Sequence, residues 1–138
     1  GTNGGTFTAG SWQTRTLNTE EGDFNKFGTL SGNQFTLQPG TYEIEASVPA
    51  FYVNEHIGRL YSVSNSSLKI FGTNAKTETT TVQGVVTQSF IRGVINVLSS
   101  EIFELQHICA VTKLNDGLGP STTSELEVYT ICKITKLS

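Results

Sequence analysis

The run Tyr42-Glu43-Ile44-Glu45-Ala46-Ser47-Val48 alternates with a period of two. Tyr, Ile, Ala and Val fall on one side, and Glu, Glu and Ser on the other. Successive Cβ atoms of a strand point to opposite faces, so this pattern is a strand with one face in a core; helical geometry would scatter the same four apolar residues around its axis. Gln38-Pro39-Gly40 supplies the turn that feeds it, and Pro49, which has no N–H to donate, ends the strand or places it at an edge. A chain with such a segment must build at least one sheet around it.

The rest of the sequence supplies the neighbours. Strand-like runs are expected at Trp12–Leu17, Phe24–Leu30, Phe35–Leu37, His56–Val63, Leu68–Gly72, Val82–Leu98, Glu101–Leu114 and Leu126–Leu137. Turn signals separate them at Glu21-Gly22, Ser31-Gly32-Asn33, Ser64–Ser67, Thr73–Thr81 and Asn115–Ser121. No stretch keeps a helical period. Eight or more short strands punctuated in this way predict an all-β sandwich or barrel. Charged residues make up only 15% of the chain, against ~25% in an average soluble domain, and twenty threonines with many Ser, Asn and Gly fill the polar places. The 138 residues suffice for one domain with a substantial core. The Gly-rich opening, residues 1–9, reads as a flexible lead-in, and residues 10–138 as the domain.

Two late runs carry more apolar surface than one core can use. In Ser89–Leu98 both alternating faces are apolar, with Phe90 and Val94 on the second. Leu126–Cys132 likewise carries Tyr129 and Ile131 on its second face. A strand of a two-sheet sandwich has one core face, so the other is expected to be covered, either by another copy of the chain or by loops and the N-terminal segment.

The stretch Ser31-Gly32-Asn33-Gln34-Phe35-Thr36-Leu37-Gln38-Pro39-Gly40-Thr41-Tyr42-Glu43-Ile44 resembles the G-x-F-T-x-x-x-x-G-x-Y-x-[FI] segment of complement-type globular heads, which belong with the tumour necrosis factor-like trimeric jelly rolls. Ser89–Val97 resembles that family's penultimate inner strand, Glu101–Ile108 the outer strand after it, and Ser124–Leu137 its closing strand. Asn54-Glu55-His56 and Arg59-Leu60-Tyr61 are similar to heads of tailed-bacteriophage structural proteins. The resemblance spans roughly residues 10–137. The chain departs from secreted animal members at Tyr129-Thr130-Ile131-Cys132, where they end in a Phe-rich stretch, and it shows no collagen-like stalk. The resemblance implies a two-sheet jelly-roll sandwich that forms a homotrimer through Phe90, Val94, Tyr129 and Ile131. Glu43 and Glu45 would then lie on the outward face of the inner sheet, and must sit at its wet edge or meet basic groups.

The residues offer no constellation for catalysis, so the chain is expected not to be an enzyme. His107 and Cys109 share a strand face but lack an orienting partner and an oxyanion site, and His107 reads as a satisfied core histidine. Asn54-Glu55-His56 and Asp116 lack the companions of a metal site and read as turn residues; neither metal nor cofactor is expected. Glu20, Glu21 and Asp23 sit in one solvated loop instead of flanking a cleft. Cys109 and Cys132 read as buried thiols, with a disulfide as the other option. A net charge of −3 with nine Lys and Arg argues against nucleic acid, and no apolar run approaches the ~20 residues of a membrane-spanning helix, so no membrane insertion is expected.

Polar loops on a rigid sandwich are the usual place for recognition. Phe51, Tyr52, Asn54, Thr77, Thr79, Asn115 and Asp116 are therefore the expected receptor-contacting residues, with the Phe51 and Tyr52 rings suited to stacking on a sugar. With the resemblance, and with no methionine to start the chain, the expectation is a C-terminal head cut from a longer virion fibre or spike, binding a host-surface receptor, in particular a glycan. The alternatives are a trimerising or capping module of a virion appendage, a carbohydrate-binding appendage of a polysaccharide-degrading tail protein, and a secreted ligand of the tumour necrosis factor type.

Overall fold

A computed structural model describes residues 1–79, 83–122 and 125–138. The chain is all-β. Its strands are β1 (Gln13–Thr14), β2 (Gly28–Ser31), β3 (Gln34–Leu37), β4 (Gly40–Ala50), β5 (Glu55–Ser62), β6 (Ser67–Phe71), β7 (Ala75–Lys76), β8 (Thr87–Val97), β9 (Glu101–Cys109) and β10 (Ile131–Lys136). A seven-stranded sheet runs β2-β3-β9-β5-β6, with β1 also pairing with β9 and β7 with β5. A three-stranded sheet runs β10-β4-β8. All pairings are antiparallel.

The two sheets share one core, an arrangement compatible with a sandwich. Tyr42, Ile44, Ala46, Val48, Ile91, Ile95 and Val97 of the small sheet meet Phe35, Leu37, Leu60, Phe103 and Leu105 of the large one. Phe35 stacks on Phe103 with ring centroids 5.5 Å apart. Buried Tyr42 satisfies its hydroxyl by donating to the Gln38 carbonyl at 2.7 Å, which pins the turn before β4. The sheets approach closely at Gly58, where a Cβ would lie 2.7 Å from Val48 and 2.8 Å from Ile91. A second, smaller cluster at one end gathers Phe7, Ala50, Val53 and Cys109.

The alternating segment folds as its pattern dictates, but β4 runs on through Pro49 to Ala50. The Pro49 carbonyl accepts from Arg15 at 3.1 Å, and not from β8, so the missing N–H lies on the same free side of the strand. No strand covers that flank, because β10 pairs with β4 only as far as Ser47, and the Arg15 guanidinium takes the place of one. The turn at Gly32-Asn33 has positive φ at both residues, 60° and 64°, the geometry that joins β2 and β3 in a two-residue hairpin.

Several sequence expectations are corrected. Residues 24–26 form a 3-10 turn instead of opening a strand, because Lys26 and Phe27 N–H bond back to the Asp23 and Phe24 carbonyls. This lays Phe24 and Phe27 over the core edge, where Phe27 meets Tyr42. The first strand shrinks to Gln13–Thr14, since Arg15 turns inward. The run from Glu101 leaves the sheet after Cys109, and the last strand begins only at Ile131. Thr80, Thr81, Val82, Thr123 and Ser124, which belong to expected loops and strand ends, lie outside the described residues. The opening nine residues, expected as a flexible lead-in, pack on the domain. Phe7 is fully buried, pairs with Lys113 and lies 4.5 Å from the His107 ring, while Gly4 and Gly5 donate to Gly119 and Asn115 carbonyls.

Candidate functional surfaces

The small sheet presents three cross-strand rows on its outer face: Ile131, Ser47 and Phe90; then Lys133, Glu45 and Arg92; then Thr135, Glu43 and Val94. Its inner face is filled by the core. The outer face leaves Phe90 39%, Ile131 53% and Val94 58% exposed. Glu45 stands in register between Lys133 and Arg92, so opposite charges face it from both neighbouring strands without an ion pair closer than 4 Å among the described residues. Arg92 leans over the Phe90 ring at 4.6 Å. Three of the four residues expected at a subunit interface are thus brought together. Tyr129 is not among them: it precedes β10, its hydroxyl donates to the Thr2 carbonyl, and its ring lies against Gly119.

The loop residues gather at one end. β4 leads into a turn in which Tyr52 and Asn54 both hold positive φ, 55° and 64°. Non-glycine residues adopt that conformation at a cost, and such outliers concentrate where loops bind or switch. The Phe51 and Tyr52 rings lie 4.3 Å apart, and Gly84 sits directly against both. Phe51 N–H donates to the Gly117 carbonyl, which ties this turn to Asn115 and Asp116. Asn115 is exposed with φ 70°, while Asp116 pairs with Lys113. Thr79 is exposed. Thr77 faces inward, 5% exposed, because its hydroxyl accepts from Val53 and Asn54 N–H at 2.7 and 3.0 Å and donates to the Glu78 carbonyl.

Beneath this end runs a buried polar chain that no sequence pattern signals. Arg15, 3% exposed, donates to Thr130 Oγ1, to the Pro49 and Leu118 carbonyls, and lies 3.4 Å from His107 Nδ1. His107 Nε2 is 2.8 Å from His56 Nδ1, and His56 Nε2 is 2.8 Å from Thr87 Oγ1. The cation only donates, so His107 Nδ1 is assigned as an acceptor; His107 then donates to His56, and His56 to Thr87. The chain is satisfied with both rings neutral. Burial, with the charge of Arg15 next, holds His56 down at about 4. Burial, Arg15 and His56 push His107 lower still. Among the described residues no carboxylate pairs with Arg15, and burial lowers it to about 10, which leaves it cationic at neutral pH.

The outer face of the large sheet carries a second feature absent from the sequence expectations. The Arg59 guanidinium lies 3.9 Å from the Trp12 ring centroid and 4.6 Å from that of Tyr61. Its Nε donates to Gln106 Oε1 at 2.7 Å; Gln106 Nε2 donates to one Glu104 oxygen, and Gln34 Nε2 to the other at 3.2 Å. The row thus crosses β3, β9 and β5. Arg59 and Tyr61, two apart on β5, were the only sequence signal for it; Trp12 joins them because Gln13 and Gly58 both register with His107.

Both cysteines are free, Cys109 in the end cluster and Cys132 packed against the main core. Among the described residues no group of three or more His, Cys, Asp or Glu is placed to hold a metal ion. Glu20, Glu21 and Asp23 are exposed on a loop as expected, but against the expectation they line a cleft, of about 770 Å³, that runs along the edge of β10. No helix among the described residues is long and apolar enough to cross a membrane. Neither a scan against protein-family models nor a search of the curated proteins gives a match.

Proposed function

We propose that this chain is a non-enzymatic head domain that trimerises through the outer face of its small sheet and binds a host-surface glycan, as the terminal module of a viral fibre or spike. The observation that carries the reading is the half-exposed Phe90, Val94 and Ile131 on a sheet whose other face is already filled. A solvated face of an antiparallel sheet is normally polar, and here large apolar side chains stand on both sides of a central row of mixed charge, which supports reading the face as a contact surface. The order of the last strands supports a jelly-roll topology of the tumour necrosis factor type: β8 lies in the small sheet, β9 in the large and β10 in the small again, which is the inner, outer, inner order the resemblance implies. The mixed-charge row of Lys133, Glu45 and Arg92 lets identical copies meet without stacking like charges.

Fluorescently labelled protein should decorate host cells, and simultaneous Tyr52→Ala and Asn115→Ala substitution should reduce that decoration without changing the oligomer. Unaltered decoration by the double variant removes the loop end as the receptor surface. One observation favours a purely structural capping role instead: Thr77 and the Phe51–Tyr52 pair are engaged with neighbouring segments, and Asp116 is paired within its own loop to Lys113. Absence of decoration by the wild-type protein selects that role.

A further inference from the structure

We propose that the outer face of the large sheet holds a saccharide subsite centred on Arg59 and selective for a sugar acid, a hydroxylated ring bearing one carboxylate. This rests on the glycan-binding reading above and adds a second contact surface, apart from the loop end, together with its sugar chemistry. The guanidinium lies over two rings, Trp12 at 3.9 Å and Tyr61 at 4.6 Å, which hold it in place. Gln106 takes the Nε proton and thereby fixes the rotation of the group. The two terminal nitrogens have no protein partner among the described residues, and no carboxylate lies within 4 Å of them. A guanidinium held rigid with its fork free is the fragment that recognises a carboxylate through two parallel hydrogen bonds.

The neighbours select the rest of the ligand. Glu104 is fixed at both oxygens by Gln34 and Gln106, yet each oxygen retains acceptor capacity for a hydroxyl. Its charge beside Arg59 and a net chain charge of −3 disfavour phosphate dianions and polyanions. A monoanion with several hydroxyl donors meets both demands. The guanidinium covers one face each of the half-buried Trp12 and Tyr61, so a pyranose held by its carboxylate packs its C–H groups against the parts of those rings left exposed. A merely structural stack would need only the flat cation and its stem, and would be indifferent to what reaches the fork.

The test is titration of the ¹⁵N-labelled protein with glucuronate, N-acetylneuraminate, glucose, acetate and a triglutamate peptide, following the Trp12 indole and Arg59 Nε signals. Both sugar acids should shift these signals, and glucose and acetate should bind at least about tenfold more weakly. Arg59→Lys, which keeps the charge and loses the fork, should weaken the acids about tenfold with an unchanged melting temperature. Equal binding of glucose, of acetate or of triglutamate overturns the ligand class, and full affinity in Arg59→Lys overturns the site. If Arg59→Lys unfolds, Gln106→Leu, which frees the guanidinium to rotate, must weaken the acids instead; unchanged affinity there overturns the site equally. Host-cell decoration separates the two proposals. Wild type and Arg59→Lys decorating cells alike leaves the receptor-binding reading standing and removes this subsite.

Discussion

Acidification from pH 7 to pH 5 should remove about 4 kcal/mol of folding stability through two buried rings. Burial and the neighbouring Arg15 hold His56 at about 4 in the folded chain, and His107 lies lower for the same reasons with His56 added. An unfolded histidine takes its proton near ~6.5. The folded values are depressed, so the unfolded chain binds protons first. The stabilisation is therefore complete above about pH 6.5 and is lost as the pH falls below it toward the folded values. Integrating the difference in bound protons from pH 7 to pH 5 gives ~2 kcal/mol per ring, and any folded value of 4 or below gives nearly the same figure. The loss is a large share of the ~5–15 kcal/mol that keeps a domain folded. Urea unfolding followed by the fluorescence of Trp12, the single tryptophan, at fixed protein concentration and several pH values measures it. His56→Gln with His107→Gln should be less stable at pH 7 but much flatter in pH. An equally steep pH dependence in the double variant, or a wild-type stability constant within ~0.5 kcal/mol across the range, would refute the reasoning.

Thr77→Val should cost roughly 1–3 kcal/mol, because it strands the buried Val53 and Asn54 N–H groups, and should accelerate hydrogen exchange at those two amides specifically. Gly58→Ala should cost roughly 1–3 kcal/mol by forcing a methyl group between Val48 and Ile91 where the sheets nearly touch, read as a lowered melting temperature. Burial pushes the Cys109 and Cys132 thiols up to about 11 and about 12. Iodoacetamide at pH 8 should therefore leave buried Cys109 unmodified until the protein unfolds, and should label half-buried Cys132, which borders the cleft, only slowly in the native protein, as read by mass.

What the sequence made legible was local. Tyr42–Val48 and Phe35–Leu37 were readable because their two-residue period is a property of the strand itself, and the Gly32-Asn33 turn because positive φ leaves a mark on residue choice. The excess apolar face at Phe90, Val94 and Ile131 was readable for the same reason. The boundaries failed where a distant partner decides them. Pro49 stays in its strand because β10 has already ended, and Tyr129 leaves its strand because Thr2 and Gly119 hold it. Arg15, polar and near an exposed loop in sequence, is buried because carbonyls from residues 49 and 118 converge on it. The Trp12–Arg59 stack was hidden because it depends on two strands meeting across β9.

The account turns on what covers the outer face of the small sheet, and the mass of the native particle tests this most directly. Sedimentation velocity at micromolar concentration should give three times the 14.9 kDa of the chain. Val94→Asp, placing a charge beside Glu43 on the edge strand of that face, should reduce the particle to one chain with its fold intact. A wild-type protein that sediments as a single chain would contradict the account.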